Sequence, residues 1–212
     1  PRMVEEVLAA GVPVDLLLYD AAAATGRAAA VLARARQDGV RLVSATSRVI
    51  AACSQVETPQ GMIAVVHKPG AQPDAVADRP DLLLIVADRV QDPGNLGTIV
   101  RIADAAGASA VWVTGGGADP FNPKAVRATM GSVFHLPVAA LEVPQAIAAL
   151  QRRSVRVLVA DQRGAVEYTD VDYRPPVAVV LGGEAEGPDP SWREAADAMV
   201  RIPLYGLRIR SQ

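Results

Sequence analysis

The chain has 212 residues, of which 50% are hydrophobic, 21 are basic and 23 are acidic, so it can bury a core and is not typical of a disordered protein. Its single cysteine excludes an internal disulfide and a cysteine-based zinc cluster, and no apolar run approaches the ~20 residues of a membrane-spanning helix. The formal net charge of −2 neither indicates nor excludes a nucleic-acid partner. Residues 1–11 form a helical pattern with acidic side chains rather than a secretory signal, so we expect a cytoplasmic protein.

The first third of the chain alternates between helical and strand patterns. Helices are predicted over residues 3–11, 26–39 and 47–54, and strands over 14–19, 40–45 and 61–68. This alternation predicts an α/β sandwich of modest size over residues 1–68. The following segment, residues 69–80, contains prolines and no hydrophobic periodicity, which is typical of an interdomain linker.

A second α/β unit is predicted from Asp81 onward. Its predicted strands cover residues 82–90, 110–114, 155–160, 177–183 and 200–205, with helices ending near 106 and covering 124–132 and 191–199. Apolar runs spaced by helices indicate a parallel sheet that is covered on both faces. Ligands of such sheets bind beyond the carboxyl ends of the strands. We therefore expect the functional site at three loops that follow strands: QDPGNLG (91–97), TGGGADPFN (114–122) and LGGEAEGP (181–188).

The first of these loops opens a helix that carries one arginine. The Pro93–Gly94 pair predicts a turn, and Asn95 is a reasonable N-cap for the helix. Arg101 lies six residues further on, so its side chain could reach back toward the strand ends. Two interpretations stay open here: a site for chemistry, or a helix cap followed by an arginine that extends from a half-buried face to solvent.

The second loop is rich in glycine, which permits close approach of its backbone to a ligand. It lacks the G-x-G-x-x-G order of a dinucleotide site, so a conventional NAD site is not expected. Lys124 and Arg127 are three residues apart near the start of the next helix, where phosphate binds favourably. A solvated basic helix face is the alternative.

The third loop and the last predicted strand complete the candidate site. Glu184 follows a buried strand and two glycines, which places a carboxylate at the sheet edge, although an ordinary strand-to-helix turn has the same pattern. The segment RIPLYG (201–206) contains a proline, which is tolerated only at an edge or at the end of strand pairing, so its backbone is free to contact a ligand. Cys53, His67 and His135 are isolated, and packing or surface positions are the favoured interpretation.

Taken together, NLGTIVR (95–101), LGGEAEGP (181–188) and IPLYG (202–206) resemble, in order and spacing, the three motifs of the SpoU (TrmH-type) RNA 2′-O-ribose methyltransferases of the SPOUT superfamily. Residues 114–138 resemble the family's segment between motifs one and two. Residues 1–68, including TPQGMIAVV (58–66), resemble the L30e-like RNA-binding domain that often precedes the catalytic domain. The resemblance implies an α/β protein with an L30e-like domain (1–68), a linker (69–80) and a SPOUT-type, trefoil-knotted methyltransferase domain (81–212).

The resemblance also implies an activity: an S-adenosylmethionine-dependent RNA 2′-O-methyltransferase that acts on ribosomal RNA, specifically 23S, without a metal. Arg101 matches the family's catalytic arginine, which helps to activate the ribose 2′-hydroxyl; Asn95 would shape that site and Glu184 would position the substrate. The residues implied in binding S-adenosylmethionine are Gly115, Leu181, Gly182, Gly183, Ile202 and Leu204. Lys124 and Arg127 become candidates for contacts to RNA phosphates, which give affinity without sequence information.

One departure from the family pattern affects the C-terminal end. The family continues from motif three into Ser-Leu-Asn and a final helix that completes the knot, closes the cofactor pocket and builds a homodimer, whereas here LRIRSQ (207–212) follows. A shortened chain, a gene end read out of frame and a natural degenerate member all stay open as explanations. Two rival functions also stay open: a non-catalytic RNA-binding protein with the SpoU fold, and a small-molecule enzyme that uses a nucleotide.

Overall fold

The computed structural model of the chain describes residues 1–54, 56 and 58–203. The N-terminal part forms a three-stranded unit, in which the strand order is β2-β1-β3, with β2 parallel and β3 antiparallel to β1. Its elements are α1 (Arg2–Ala9), β1 (Val14–Asp20), a 3-10 turn (Ala21–Ala23), α2 (Arg27–Gln37), β2 (Leu42–Ala45), α3 (Ser47–Cys53) and β3 (Met62–Val66). All six predicted helices and strands of this part are confirmed. Leu17 of β1 is fully buried against α1 and α2.

The rest of the described chain forms a seven-stranded unit after a short helix, α4 (Pro73–Ala77). The strand order is β6-β5-β4-β9-β7-β10-β8, and every pairing is parallel, as predicted. Its strands are β4 (Leu83–Asp88), β5 (Ala110–Thr114), β6 (Val138–Ala140), β7 (Arg156–Ala160), β8 (Val166–Glu167), β9 (Val177–Gly182) and β10 (Ala198–Arg201). Its helices are α5 (Pro93–Ala105), α6 (Pro123–Ala128), α7 (Val143–Gln151) and α8 (Pro190–Glu194), with 3-10 turns at Ser132–Phe134 and Tyr168–Asp170.

Side chains of the central strand β4 alternate between two cores. Leu84 and Val86 pack with α7 and α8, where Trp192 is fully buried, whereas Ala87 packs with α5 on the opposite face. Burial on both faces explains why the strands of this sheet are continuously apolar in sequence. Within the described ranges, no helix has both the length and the apolarity to cross a membrane.

Several features differ from the sequence-based predictions. The helix predicted over 124–132 ends at Ala128, and the strand predicted from 200 onward begins at Ala198 and ends at Arg201. The segment predicted as a linker contains α4, whose Ala77 is buried in the core of the seven-stranded unit. The helix predicted over 191–199 is wrong in length: α8 ends at Glu194, because Ala198 and Met199 pair with β7 as part of β10. The predictions also omit β6 and α7, and they omit β8 at the sheet edge.

Strand β10 lies between two strands that follow each other in the chain. Val200 pairs with Ala160 of β7 on one side and with Val166 of β8 on the other, so the loop 161–165 crosses the carboxyl end of β10. The crossing is tight, since a Cβ on Gly164 would lie 2.7 Å from the carbonyl carbon of Val200. The trefoil knot implied by the family resemblance stays a prediction.

Candidate active site

The carboxyl ends of the central strands meet at one edge of the sheet, as expected. Asp88, the last residue of β4, is in register with Thr114 of β5 and with Gly182 of β9. Leu181 of β9 is in register with Ala160 of β7. The three loops that the sequence analysis selected therefore start side by side.

Helix α5 begins one turn earlier than predicted. Its N-cap is Asp92, whose side chain accepts a hydrogen bond from the backbone N–H of Asn95 at 3.0 Å, and Pro93 takes the first helical position. The prediction of Asn95 as N-cap is therefore wrong. Because its side chain is not needed as a cap, the Asn95 amide is free to donate from Nδ2 to Oε1 of Glu184, across 89 positions of sequence.

The loop after β9 lies directly on the end of β4 and on its own return segment. A Cβ on Gly183 would lie 2.3 Å from the carbonyl oxygen of Arg89, and one on Gly182 would lie 2.2 Å from the backbone nitrogen of Pro188. Real side chains cannot occupy such positions, so glycine is required at both. These contacts leave backbone rather than side chains at the rim of the site.

A buried carboxylate that the sequence analysis did not select organises the same edge. Asp88 is fully buried, and it accepts hydrogen bonds from the Thr114 hydroxyl at 2.7 Å and from the backbone N–H of Asp189 at 2.7 Å. A buried carboxylate needs such donors to offset its loss of hydration. Asp88 thus ties together the loops that follow β4, β5 and β9. Its position at the end of an apolar strand is the one signal that could have identified it.

Two cavities adjoin the Asn95–Glu184 pair. The larger, of about 840 Å³, lies at the ends of β7, β9 and β10 and is lined by residues 160–163, 181–188, Arg193, Met199, Val200 and Ile202. The smaller, of about 450 Å³, is lined by Arg89, Gln91, Gly115 and residues 183–187. The 183–187 segment, which carries Glu184, forms a wall common to both.

The residues predicted to bind the cofactor divide between these cavities. Leu181, Gly182, Gly183 and Ile202 line the larger cavity, with Ile202 65% exposed. Gly115 lines the smaller cavity instead. Leu204 lies outside the described residues.

Arg101 is on the exposed side of α5, next to Ile102, which is 60% exposed. The buried side of the helix is formed by Leu96, Gly97, Val100 and Ala103. In the part of the chain that the structure describes, the Arg101 side chain makes no hydrogen bond or ion pair, either with Asn95 and Glu184 or with any other residue. The structure therefore brings Asn95 and Glu184 together but leaves the predicted third member of the site open to solvent.

The two predicted phosphate-binding residues are exposed on α6, but their surroundings differ. Lys124 Nζ donates to Oδ2 of Asp92 at 2.5 Å, while Arg127 is near the end of the helix. Hydrogen bonds from Lys124 and from the Asn95 backbone hold the pKa of Asp92 below its ordinary value of 3.8. Lys68, beyond β3, lies with its ammonium 4.3 Å from the centre of the Phe121 ring, so the end of the three-stranded unit contacts the glycine-rich loop.

A parallel sheet with a backbone-lined cavity at its carboxyl edge defines an α/β protein that binds a small ligand there. Residues 82–211 match the SpoU rRNA methylase family, and residues 1–64 match the MRM3-like substrate binding domain. The chain belongs to the SpoU rRNA methylase family.

Two relatives illustrate the similarity in sequence. The chain is 36% identical over 170 residues to the 23S rRNA (guanosine(2553)-2′-O)-methyltransferase RlmP of Bacillus subtilis, with 80% of this chain and 66% of the relative covered. It is 32% identical over 202 residues to the 23S rRNA (uridine(2479)-2′-O)-methyltransferase of Streptomyces viridochromogenes, with 92% and 70% covered. The chain thus spans about two thirds of the length of these relatives.

Solved structures give the same family. The SpoU methyltransferase AviRb from Streptomyces viridochromogenes, in complex with the cofactor AdoMet, superimposes with a TM-score of 0.86 at 29% identity, covering 100% of this chain and 82% of that one. An AdoMet-bound rRNA methyltransferase from Sinorhizobium meliloti also superimposes with a TM-score of 0.86, at 31% identity, covering 100% and 79%.

Proposed function

We propose that this protein transfers a methyl group from S-adenosylmethionine to a ribose 2′-hydroxyl of RNA, and that its substrate is ribosomal RNA. The observation that carries the proposal is the Asn95–Glu184 hydrogen bond at the rim of a backbone-lined cavity. Family membership supports the reaction, and the relatives named as 23S rRNA 2′-O-methyltransferases support the substrate. The cytoplasmic location expected from the sequence is part of this proposal.

The larger cavity fits the cofactor. Its volume of about 840 Å³ lies within the range of small-molecule sites, and Gly182 and Gly183 bring peptide backbone rather than side chains to its rim. No added side chain could share this rim, because a Cβ at either glycine would collide with backbone. Leu181 and Ile202 would supply apolar contacts, whereas Gly115 lines the smaller cavity on the other side of the 183–187 wall.

Residues of this chain would hold and activate the ribose. When bound, S-adenosylmethionine supplies an electrophilic methyl group on its sulfonium. Glu184 Oε1 is occupied by Asn95, and among the described residues nothing bonds to Oε2, which is therefore available to a ribose hydroxyl. Asn95 would thus fix the orientation of the carboxylate, and Glu184 would position the substrate.

Arg101 would act on the attacking oxygen. A ribose hydroxyl is a poor acid, so a cation close to the 2′-oxygen would lower the free energy of the negative charge that develops as the hydroxyl proton passes to solvent, which has access to this side of α5. Its exposure on α5 leaves the guanidinium accessible to an RNA strand that enters beside Asn95. Lys124 and Arg127 of the adjacent α6 would contact RNA phosphates.

We also propose that the protein forms a homodimer when the final helix of the family is present, and that the exposed face of α5 is part of the interface. Ile102, at 60% exposure, is a large apolar side chain next to Arg101. A second copy that covers this face would bury Ile102 and enclose the Arg101 side of the site. Sedimentation analysis of the chain with that final helix attached, and of its Ile102→Glu variant, tests this: a dimer that the variant converts to monomers supports it, and a monomeric extended chain contradicts it.

The activity is tested by incubating the chain with S-adenosylmethionine labelled in its methyl group and with unmodified ribosomal RNA. Nuclease digestion and mass spectrometry should then detect a 2′-O-methyl nucleoside. Labelled base or no label in RNA would contradict the proposal. RNA binding without transfer would favour the non-catalytic rival, and labelling of free nucleosides in preference to RNA would favour the small-molecule rival.

A further inference from the structure

Arg89, which follows β4, has a backbone conformation that arginine rarely adopts. Its φ is 57°, in the left-handed region that glycine and asparagine adopt more readily than other residues do. Such strain persists only where surrounding contacts hold the residue in place, and it is concentrated at functional sites. Here the Arg89 backbone N–H donates to the Thr114 carbonyl at 3.0 Å, which fixes the residue against the end of β5.

The side chain of Arg89 crosses to the loop that follows β9. One guanidinium nitrogen, Nη2, donates to Oδ2 of Asp189 at 2.9 Å, and the other, Nη1, donates to Oε2 of Glu186 at 3.3 Å. The Arg89 and Asp189 side chains are only 31% and 24% exposed, whereas Glu186 is 77% exposed. The Asp189 contact is therefore the better shielded from water and salt, and it carries more of the interaction.

Arg89 and Asp189 lie in the same two loops as Asn95 and Glu184, respectively. Arg89 precedes Asn95 by six residues in the loop after β4, and Asp189 follows Glu184 by five in the loop after β9. Arg89 also lines the smaller cavity, on the other side of the wall that carries Glu184. A bond between Arg89 and Asp189 therefore limits how far the two loops can separate.

We propose that Arg89 is a positioning residue that clamps the 183–189 loop against the end of β4, and thereby holds Glu184 beside Asn95 and fixes the rim of the cofactor cavity. This inference rests on the proposed function, because it assigns Arg89 to the same site. The role is indirect: Arg89 acts through the loop and does not need to touch the cofactor.

The test compares Arg89→Met with the parent chain by hydrogen exchange without cofactor and by calorimetric titration with S-adenosylmethionine. The Met variant removes both ionic contacts and preserves much of the side-chain volume. We expect faster exchange at Gly187, whose N–H donates to the Gly183 carbonyl, and at Asp189, whose N–H donates to Asp88. The dissociation constant should rise about three- to tenfold, as is reasonable for a partly shielded ion pair.

Two further variants separate clamping from general stability. Asp189→Asn removes the charge but keeps the N-cap of α8, because asparagine caps a helix as well as aspartate does. It should weaken cofactor binding as much as Arg89→Met does. The double variant should show no further loss of affinity. Arg89→Gly relieves the backbone strain, so its unfolding midpoint should be no lower than that of the parent chain although its cofactor affinity falls.

The control is Arg174→Met, which removes an arginine that is 88% exposed and paired with Asp172 outside the site. The cofactor affinity and hydrogen exchange of this variant should match those of the parent chain.

Unchanged hydrogen exchange of the 183–189 loop in Arg89→Met would overturn the clamp, whatever the cofactor affinity of the variant. Faster exchange with unchanged affinity would overturn the positioning role. A folded parent chain that binds no cofactor would contradict the proposed function instead, and the clamp would then be decided by exchange alone.

Discussion

The two sides of the candidate site differ in how completely this chain builds them. On the β9 side, Gly182 and Gly183 lie against backbone, and buried Asp88 receives hydrogen bonds from two neighbouring loops. On the α5 side, Arg101 and Ile102 face solvent. The first side is preorganised by packing within the chain, as a small cofactor requires. The second side is left open, as suits a large substrate or a second copy, so damage to the two sides should have different consequences.

The largest effect is expected at Gly183. In Gly183→Ala the added Cβ would lie 2.3 Å from the Arg89 carbonyl oxygen, and because that atom is backbone, it cannot move aside easily. We expect a loss of at least about 3 kcal/mol of unfolding free energy, or no folded protein, together with loss of cofactor binding. Chemical denaturation measures the first and calorimetry the second. Gly70→Ala is the matched control, since nothing lies within 4 Å of its Cβ position; equal stability of the two variants would contradict the tight packing described for this side.

Arg101→Ala should give the opposite result. Because the Arg101 side chain is exposed and makes no hydrogen bond or ion pair in the described part of the chain, folding and cofactor affinity should stay unchanged. Methyl transfer should fall by about 100-fold or more, which is typical for loss of a group that assists proton transfer. Thermal unfolding, calorimetry and a methylation assay separate these quantities, with Arg101→Lys as the control that keeps the charge. If Arg101→Ala lowered the thermal stability of the protein, the role of Arg101 would be structural rather than catalytic.

The two cations of α6 should differ in their contribution to RNA binding. Arg127→Met should weaken RNA binding more than Lys124→Met, because the Lys124 ammonium is already paired with Asp92. Removal of one cation that binds a phosphate should reduce the slope of log affinity against log salt by about 1, with little dependence on RNA sequence. Filter binding at several salt concentrations measures both the affinity and the slope. A greater weakening in Lys124→Met would show that RNA displaces Asp92 from the lysine.

The smallest expected effect concerns the pH dependence of the Asp92 cap. The pKa of Asp92 is lower in the folded protein than its ordinary value of 3.8, so its stabilising contribution is fully present above that value and is lost as the pH falls through the folded-state pKa. Asp92→Asn keeps a good N-cap but removes the titration, so unfolding free energy should depend less steeply on pH between about pH 2 and 5. An unchanged slope would mean that neither the Lys124 contact nor the Asn95 backbone N–H lowers the pKa of Asp92 in solution.

The sequence predicted the sheet well, because strands buried on both faces are recognisable as apolar runs. The sequence was less informative where the secondary structure of a segment depends on a neighbouring strand. Ala198 and Met199 continue a helical pattern, yet they become strand because β7 offers them a parallel partner. Short β6 and β8, with three and two residues, carry too little pattern to stand out.

The same limit applies to the site. The motifs identified Asn95 and Glu184 separately, but their hydrogen bond depends on the pairing of β4 with β9. Asp92 and Asn95 are equally good caps by residue type, and only the preference of proline for the first helical position, at Pro93, could have decided between them. One of the two partners of the buried Asp88 carboxylate is a backbone N–H 101 residues away, which no local pattern reveals.

Calorimetric titration of this chain with S-adenosylmethionine tests the central claim most directly. We expect saturable binding of one cofactor per chain, abolished in Gly183→Ala and retained in Arg101→Ala. A folded parent chain that shows no binding heat across a range of temperatures would contradict the assignment of the cavity to the cofactor, and with it the proposed methyl transfer.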